Sequence, residues 1–531
     1  MSISSEYKVS DEPHSRVDKW VDGGSLVTDS AVTASTNAFT QNLSKWRSLI
    51  AVALVIMVCI PALFFNLERY PRLWFDEGYK LNAAYTLVQD GQYASYTVDG
   101  YVPFDPGTSG GPADILPAAL AIKLFGTSVT VARLASVLYT LLAAVALYYM
   151  GCSIWDEKTA LFCVLLVIAT GPIENVSLVV MGRQSLSEAT AFSLMVCGLW
   201  ILTKGWGKRS LQWSILSGLV MGLGMLSKTQ IAISLVPSLL TVAAWRWWQE
   251  KRQGFGYLFA PALGIIAVFL GWTLIGQLFT TPEIRQQNST LLLDAIRTNI
   301  FTDLFGSNLD NQSLFVIAIM LFGVFTNVVR IFKTPPLKDK HWVELVLIGF
   351  CLYTSIWFTV LSVGWPRYAF SGLMIGLLLS GRSVWAFITR SDAPKWWVSA
   401  GFGFLVFAGI AVNVVNSVAY AADSDVQEAA AYIANHIPQD AVIETWEWEL
   451  DMLSHHRQYH HPPQALLFEA IRQNARHRFF DLSYDPLAAN PDYLIVGTFG
   501  RWTGIYDEAM LAENFTSIAQ FGVYEVFQRL K

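Results

Sequence analysis

Two adjacent acids, Asp76 and Glu77, stand in Arg72-Leu-Trp-Phe-Asp-Glu-Gly-Tyr79, a short way past the first long apolar run of the chain. A carboxylate held at a membrane surface can act as general base toward a substrate that arrives in the lipid. The plainer reading is a solvated polar turn containing Gly78. Other ionisable residues recur at the ends of apolar runs. Arg183 and Glu188 lie in Gly182-Arg-Gln-Ser-Leu-Ser-Glu188, Lys228 in Gly224-Met-Leu-Ser-Lys-Thr-Gln230, and Arg367 beside Tyr368 in Trp365-Pro-Arg-Tyr368. Lys123 and Arg133 flank the end of a shorter apolar stretch. Such residues are costly at span ends and are functional candidates for that reason. Cations gathered near an acidic pair suit an anion, and a lipid-borne phosphate or pyrophosphate could be gripped by the forked guanidinium of Arg. Taken singly, each cation is equally accounted for by snorkelling toward lipid headgroups.

The elements that would position these residues are membrane helices. In 531 residues the chain is 53% hydrophobic and 15% charged, with a mean hydropathy of +0.40, which is too apolar for a soluble protein of this size. Apolar spans fall at roughly 48–66, 130–150, 159–174, 185–203, 211–227, 229–246, 258–279, 314–332, 342–363, 367–388 and 397–419, each close to the ~20 residues that cross a bilayer as a helix. The fold class is therefore an α-helical polytopic membrane protein of about eleven spans. The net charge of -5 carries no basic footprint for nucleic acid. The five cysteines have no paired spacing that would suggest a disulfide frame or a zinc site.

Lys45 and Arg47 precede the first span, and Lys204, Lys208, Arg209, Arg246, Lys251, Arg252, Arg330, Lys333, Lys338, Lys340, Arg390 and Lys395 fall in alternate loops. By the positive-inside bias the N-terminus is inside, and Asp76 faces the extracytoplasmic side. Residues 1–47 read as a disordered cytoplasmic tail, and the first span is long enough to remain as an anchor. The transmembrane domain runs over 48–419, with a long outer loop at 67–129. Within that loop Leu81 to Val88 has helical spacing, Asp105 to Pro112 is a breaker cluster, and Ile115 to Phe125 has the length of an interfacial helix. A second outer loop at 280–313 has room for a helix or a lid. Residues 420–531 read as a small extracytoplasmic α/β domain. Helices are expected at Asp425 to His436 and Pro463 to Arg476, and strands at Ala441 to Trp446, Tyr493 to Thr498 and Gly522 to Arg529.

The Phe75-Asp-Glu-Gly-Tyr79 opening of the outer loop, with Gly111-Pro112, Lys123-Leu-Phe-Gly126, Arg183 to Glu188, Met225-Leu-Ser-Lys-Thr229 and Pro366-Arg-Tyr368, resembles the C-type glycosyltransferase superfamily. The nearest branch is that of the protein O-mannosyltransferases and the aminoarabinose transferase, and the resemblance covers about residues 50 to 390. It implies Asp76 as catalytic base, Glu77 as a supporting or acceptor-positioning acid, and Lys228, Arg183 and Arg367 at the lipid phosphate. Tyr79, Lys123, Glu188 and Tyr368 stand in the same segments as further substrate-binding candidates. Gly111 replaces a frequent His, and Gly78 a frequent Ala or Arg; these departures bear on donor sugar and acceptor.

The implied reaction is transfer of a sugar from a polyprenyl (undecaprenyl or dolichyl) phosphate to a hydroxyl or amine on a protein, lipid or glycan at the outer face of the cytoplasmic membrane. A carboxylate would deprotonate the acceptor, Lys and Arg would stabilise the departing phosphate, and a single displacement would invert the anomeric centre. No cofactor is expected, although an acid pair could hold a divalent cation. The rival from another class, a transporter or flippase of lipid-linked sugars, predicts charges near the midplane and broken helices in repeated halves. A non-catalytic sensor would not need the clustered cations. The run His455-His-Arg-Gln-Tyr-His-His461 is read as a solvated loop in preference to a metal site. Glu444-Thr-Trp-Glu-Trp-Glu449 is read as a half-exposed strand with an acidic face, in preference to a wall of the acceptor or sugar site.

Overall fold

The computed structural model describes residues 46–105, 111–170, 176–250, 255–301, 311–333, 337–390, 395–419, 424–475 and 482–530. The expected tail, the middle of the Asp105 to Pro112 cluster, and the loop cations Lys251 and Arg252 lie outside the described residues. Residues 1–51 form one unit, described only from Trp46 onward, and residues 52–531 form the other.

Each expected span is a helix. They are α1 (Trp46–Phe64), α4 (Val129–Ile154), α5 (Glu157–Ala169), α7 (Glu188–Gly207), α8 (Leu211–Ser227), α9 (Gln230–Gln249), α10 (Gly256–Phe279), α12 (Asn311–Phe332), α13 (Asp339–Val360), α14 (Phe370–Arg390) and α15 (Lys395–Ala419). Among the described residues nine candidate spans are long and apolar enough to cross a membrane. The two others fall short for different reasons. α8 has 17 residues. α5 has 13, or ~20 Å of helix against a ~30 Å hydrocarbon core. The short α6 (Leu178–Gly182) follows, and α7 begins only at Glu188 because Ser187 takes a left-handed conformation at φ 67°.

The loop expected at the outer side holds two helices and a hairpin. Asp76 and Glu77 sit in the first turn of α2 (Phe75–Asp90), where carboxylates complement the unpaired amides and the helix dipole. The solvated-turn reading of this stretch is thereby corrected: Glu77, Gly78, Tyr79 and Lys80 are all buried. α2 ends at Gly91, whose φ of 70° only glycine adopts freely. The hairpin β1 (Ala94–Thr97) and β2 (Gly100–Pro103) follows, then α3 (Pro112–Phe125), which starts on a proline suited to a first helical turn. The second outer loop supplies α11 (Pro282–Asn299).

Residues 424–530 form a five-stranded mixed sheet of order β4-β3-β5-β7-β6. Its strands are β3 (Ile443–Thr445), β4 (Tyr459–His460), β5 (Tyr493–Val496), β6 (Phe515–Phe521) and β7 (Tyr524–Arg529). Its helices are α16 (Asp425–His436), α17 (Glu449–Ser454), α18 (Gln464–Ala475), α19 (Thr498–Thr503) and α20 (Glu508–Asn514). The expected acidic strand stops at Thr445, and Glu449 instead opens α17.

This sheet domain packs directly on α2. Phe75 and Tyr79 share a core with Trp446, Trp448 and Val496, and Asn82 donates to Asp451 at 2.8 Å. The histidine run is the seam of that contact. His455 meets Tyr85, Arg457 pairs with Asp90, His460 lies between Asp99 and Glu444, and His461 bonds to Asp451. Gly78 is the closest approach, since a Cβ there would lie 2.3 Å from the Glu449 nitrogen and 2.4 Å from its Cα. In an open helix Gly→Ala is stabilising by ~1 kcal/mol. Gly78→Ala is expected to reverse that sign, costing about 1–3 kcal/mol through overpacking against backbone, and to lower the thermal unfolding midpoint of the detergent-solubilised protein.

Candidate active site

Asp76, Tyr79 and Lys80 lie on one face of α2, three or four residues apart as a helix requires, and line a cavity of about 1140 Å³. Glu188, the first residue of α7, Lys228, between α8 and α9, and Arg367 and Tyr368, in the 3-10 turn Pro366–Ala369, line the same cavity. Arg367 Nη1 meets Asp76 Oδ2 at 2.5 Å. Lys228 Nζ meets Glu188 Oε1 at 2.9 Å. Aromatic rings carry the cations: Arg367 lies 5.0 Å above Trp74 and 5.1 Å above Trp365, and Lys228 5.5 Å above Tyr368. Tyr79 donates to Asp105 at 2.5 Å.

Lys80 is a site residue that the sequence reading passed over. Its ammonium donates to the Leu186 carbonyl and, at 3.0 Å, to Ser187 Oγ. Ser187 and Thr190 in turn donate to Asp114 at 2.5 and 2.9 Å. Burial, helped by nearby Lys228, pulls the Lys80 ammonium down to about 8 against the attraction of Glu188, Asp114 and Asp76. Burial alone would raise the Asp76 carboxyl, but Arg367, Lys80 and Lys228 together outweigh it and hold the group below its ordinary value.

Three cations, Lys80, Lys228 and Arg367, thus cluster with the carboxylates Asp76 and Glu188, while Asp105, bonded to Tyr79, also lines the cavity. Hydrogen bonding there is also incomplete. Arg367 Nε and Glu188 Oε2 are buried without a hydrogen-bond partner among the described residues, as is Asn288 Oδ1 on the α11 wall. Buried polar atoms are ordinarily paired, so these mark a surface for a polar ligand, with Arg367 Nε open to an acceptor and Glu188 Oε2 and Asn288 Oδ1 open to donors. An apolar part of the wall is built by Phe269 and Trp272 of α10 and Leu292 and Ile296 of α11, with Arg285 and Ser289 among the polar residues beside it. The outward face of α10 exposes Leu270, Leu274 and Leu278.

Three residues expected at the site are elsewhere. Glu77 is fully buried against α4, where Arg133 grips it with two hydrogen bonds of 2.8 and 2.7 Å and the Ser185 amide donates at 2.9 Å. Its carboxylate therefore does not join Asp76 as an acid pair, and among the described residues no group of three or more acidic, His or Cys side chains is arranged to hold a metal. Arg183 is also fully buried and spends its donors on the carbonyls of Ala62, Phe65 and Tyr70, fixing the chain between α1 and α2. Lys123 is exposed near the end of α3, away from the cavity lining.

Residues 112–272 match the family model described as dolichyl-phosphate-mannose-protein mannosyltransferase. The chain superposes on ArnT from Cupriavidus metallidurans bound to undecaprenyl phosphate with a TM-score of 0.59 and 13% identity, covering 91% of this chain and 98% of that one. This chain has the fold of that ArnT. The archaeal oligosaccharyltransferase AglB from Archaeoglobus fulgidus, in complex with an inhibitory peptide and a dolichol-phosphate, is also similar, at a TM-score of 0.54 and 11% identity over 92% of this chain and 75% of that one. In sequence, the undecaprenyl phosphate-alpha-4-amino-4-deoxy-L-arabinose arabinosyl transferase of Pseudomonas aeruginosa (strain UCBPP-PA14) is 32% identical over 161 residues. That match covers 29% of this chain and 28% of the relative. The resemblance read from the motifs thus holds in the fold and in the matched segment, and the membrane class holds with it.

Glu77 and Arg133 form a buried pair, and loss of one partner from such a pair costs about 3–5 kcal/mol, whereas replacing both by apolar side chains is often neutral. Glu77→Ala is therefore expected to lower the unfolding midpoint sharply, and the double variant Glu77→Leu with Arg133→Met to recover most of it. A catalytic Glu77 would instead give a single variant that melts like the wild type and is inactive.

Proposed function

We propose that the protein is an inverting glycosyltransferase of the cytoplasmic membrane that moves a sugar from a polyprenyl phosphate to a nucleophile at the extracytoplasmic face. The observation that carries this reading is the cation-rich polar end, with its unpaired buried Arg367 Nε, opening into a cavity with an apolar wall. A phosphate on an isoprenoid chain matches both halves. Acceptors in keeping with the fold are hydroxyl or amine groups on lipid, protein or glycan.

Asp76 is the general base in this scheme, and its pairing with Arg367 makes it a weak one in the structure as it stands. Phosphate oxygens that take up Arg367 and Lys228 compete for that pairing. Asp76 then loses part of the stabilisation of its charged form, its proton affinity rises, and it becomes a better base beside the anomeric carbon. Arg367, Lys228 and Lys80 remain to stabilise charge on the leaving phosphate, so these side chains can fill the electrostatic role a divalent cation would have. The transporter reading is not supported by the placement of charge. Asp76 and Glu188 are at helix starts, and Lys228 and Arg367 are in the links between helices.

Asp76→Asn is expected to remain folded and to lose roughly 10²–10⁴-fold in transfer, measured with radiolabelled undecaprenyl- and dolichyl-phosphate sugars; undiminished transfer would sink the base assignment. The pH profile of kcat/KM tests the cations, because it reports the groups of the free enzyme. Lys80 holds phosphate only when protonated, so activity is expected to fall as pH rises through about 8. Asp76 works only when ionised, so the acid limb lies below the ordinary carboxylate range. Lys80→Arg, which stays charged, should move the alkaline limb upward and leave the acid limb in place.

A further inference from the structure

The sheet domain contributes two buried acids to the cavity wall, Glu447 and Glu449, which are 1% and 2% exposed. Their roles differ. Glu447 accepts from the backbone amides of Gly497, Phe499 and Gly500 at 3.1, 3.2 and 2.8 Å, which fixes the segment carrying Phe499 and Trp502. Glu449 accepts from the Tyr524 hydroxyl at 2.7 Å through Oε1, while its buried Oε2 takes no hydrogen bond from a donor group among the described residues. Burial first, and then the neighbouring Glu447, push the Glu449 carboxyl well above the usual carboxylate range. Burial thus favours the protonated form of this carboxyl, which both donates and accepts. Glu447 has a structural reason to be where it is; Glu449, hydrogen-bonded to the Glu447 carboxylate, is a second acid on a cavity wall where an apolar side chain would cost less.

Two further features share this wall. Phe499 and Trp502 line the cavity as adjoining rings, 5.3 Å apart, and flat aromatic faces pack against the C–H faces of sugars as against other apolar surfaces. Glu449, Phe499 and Trp502 line the same cavity as Asp76, and the near contact of Gly78 with the Glu449 backbone ties this wall to α2. Donor sugar and acceptor must both meet at the base, and of the two a ring with C–H faces and hydroxyl or amino substituents is what a pair of aromatic faces beside a carboxyl suits.

We propose that Glu449, with Phe499 and Trp502, forms the subsite for the sugar ring of the donor, its carboxyl hydrogen-bonding to ring hydroxyl or amino substituents while the rings support one face. Glu447 is a positioning residue for this subsite. The inference rests on the polyprenyl-phosphate reading and deepens it.

The test is equilibrium binding to the full-length protein in detergent. The probes are undecaprenyl phosphate and its mannosyl, glucosyl and 4-amino-4-deoxyarabinosyl forms, and the readout is the gain in affinity that the sugar confers over the bare lipid phosphate. Wild type should show a gain for at least one sugar. Glu449→Leu should reduce that gain about tenfold, as expected for loss of a hydrogen bond to a buried group, with affinity for undecaprenyl phosphate unchanged. Glu449→Gln, which also donates and accepts, should retain most of it. The proposal is overturned if no sugar confers a gain on wild type, if Glu449→Leu keeps the full gain, or if that variant weakens bare and glycosylated lipids alike. Wild type that does not bind undecaprenyl phosphate at all would instead overturn the function proposed above.

Discussion

A carboxylate and a guanidinium held 2.5 Å apart, Asp76 and Arg367, set the terms for the polar end of the cavity. Charges removed from water must be paired or they are expelled. Glu188 and Lys228 meet that requirement beside them in the same way. Neither pairing is complete, because Arg367 Nε and Glu188 Oε2 are left over, and Lys80 adds a third positive charge held by a carbonyl and a hydroxyl. Such an arrangement folds without a ligand and is still improved by an anion. In the proposed reaction the anion also releases the base, so donor binding and activation of Asp76 become one event.

Helix α2 distributes these tasks around its circumference. Successive residues of a helix point about 100° apart, so the neighbours Asp76, Glu77 and Gly78 face three different bodies. Asp76 faces the cavity, Glu77 is locked to Arg133 of α4, and Gly78 admits the backbone of Trp448 and Glu449. One turn later Lys80 returns to the cavity and Asn82 holds Asp451 of the sheet domain. Arg183 pins the chain that enters the helix by binding three carbonyls. Asp76 is thereby held by buried polar contacts on both sides, which is the preorganisation that its proposed role as base would depend on.

The membrane helices were legible because their signal is apolar length, which needs no tertiary context. α16 was legible to the residue through its amphipathic period. Asp76, Lys228 and Arg367 could be found because ionised groups at span ends need a ligand or a partner. The same reasoning misplaced Glu77 and Arg183. Sequence shows that a buried charge must be satisfied but not by what, and here the answers were Arg133 and a set of backbone carbonyls. Lys80 is hidden from the sequence because the helical spacing legible there begins only at Leu81, whereas α2 begins at Phe75 and puts Lys80 at i+4 from Asp76. Glu447 and Glu449 alternate as a strand would, yet β3 ends at Thr445, and only the packing of Gly78 against Glu449 brings that stretch to the cavity.

The account turns on competition between Asp76 and a lipid phosphate for Arg367, and equilibrium binding of undecaprenyl phosphate to wild type and Asp76→Asn measures it directly. Removing the carboxylate charge frees the guanidinium and lessens repulsion of the incoming phosphate, so the Asn variant should bind the lipid phosphate more tightly than wild type. Equal or weaker binding by a folded Asp76→Asn would contradict the account.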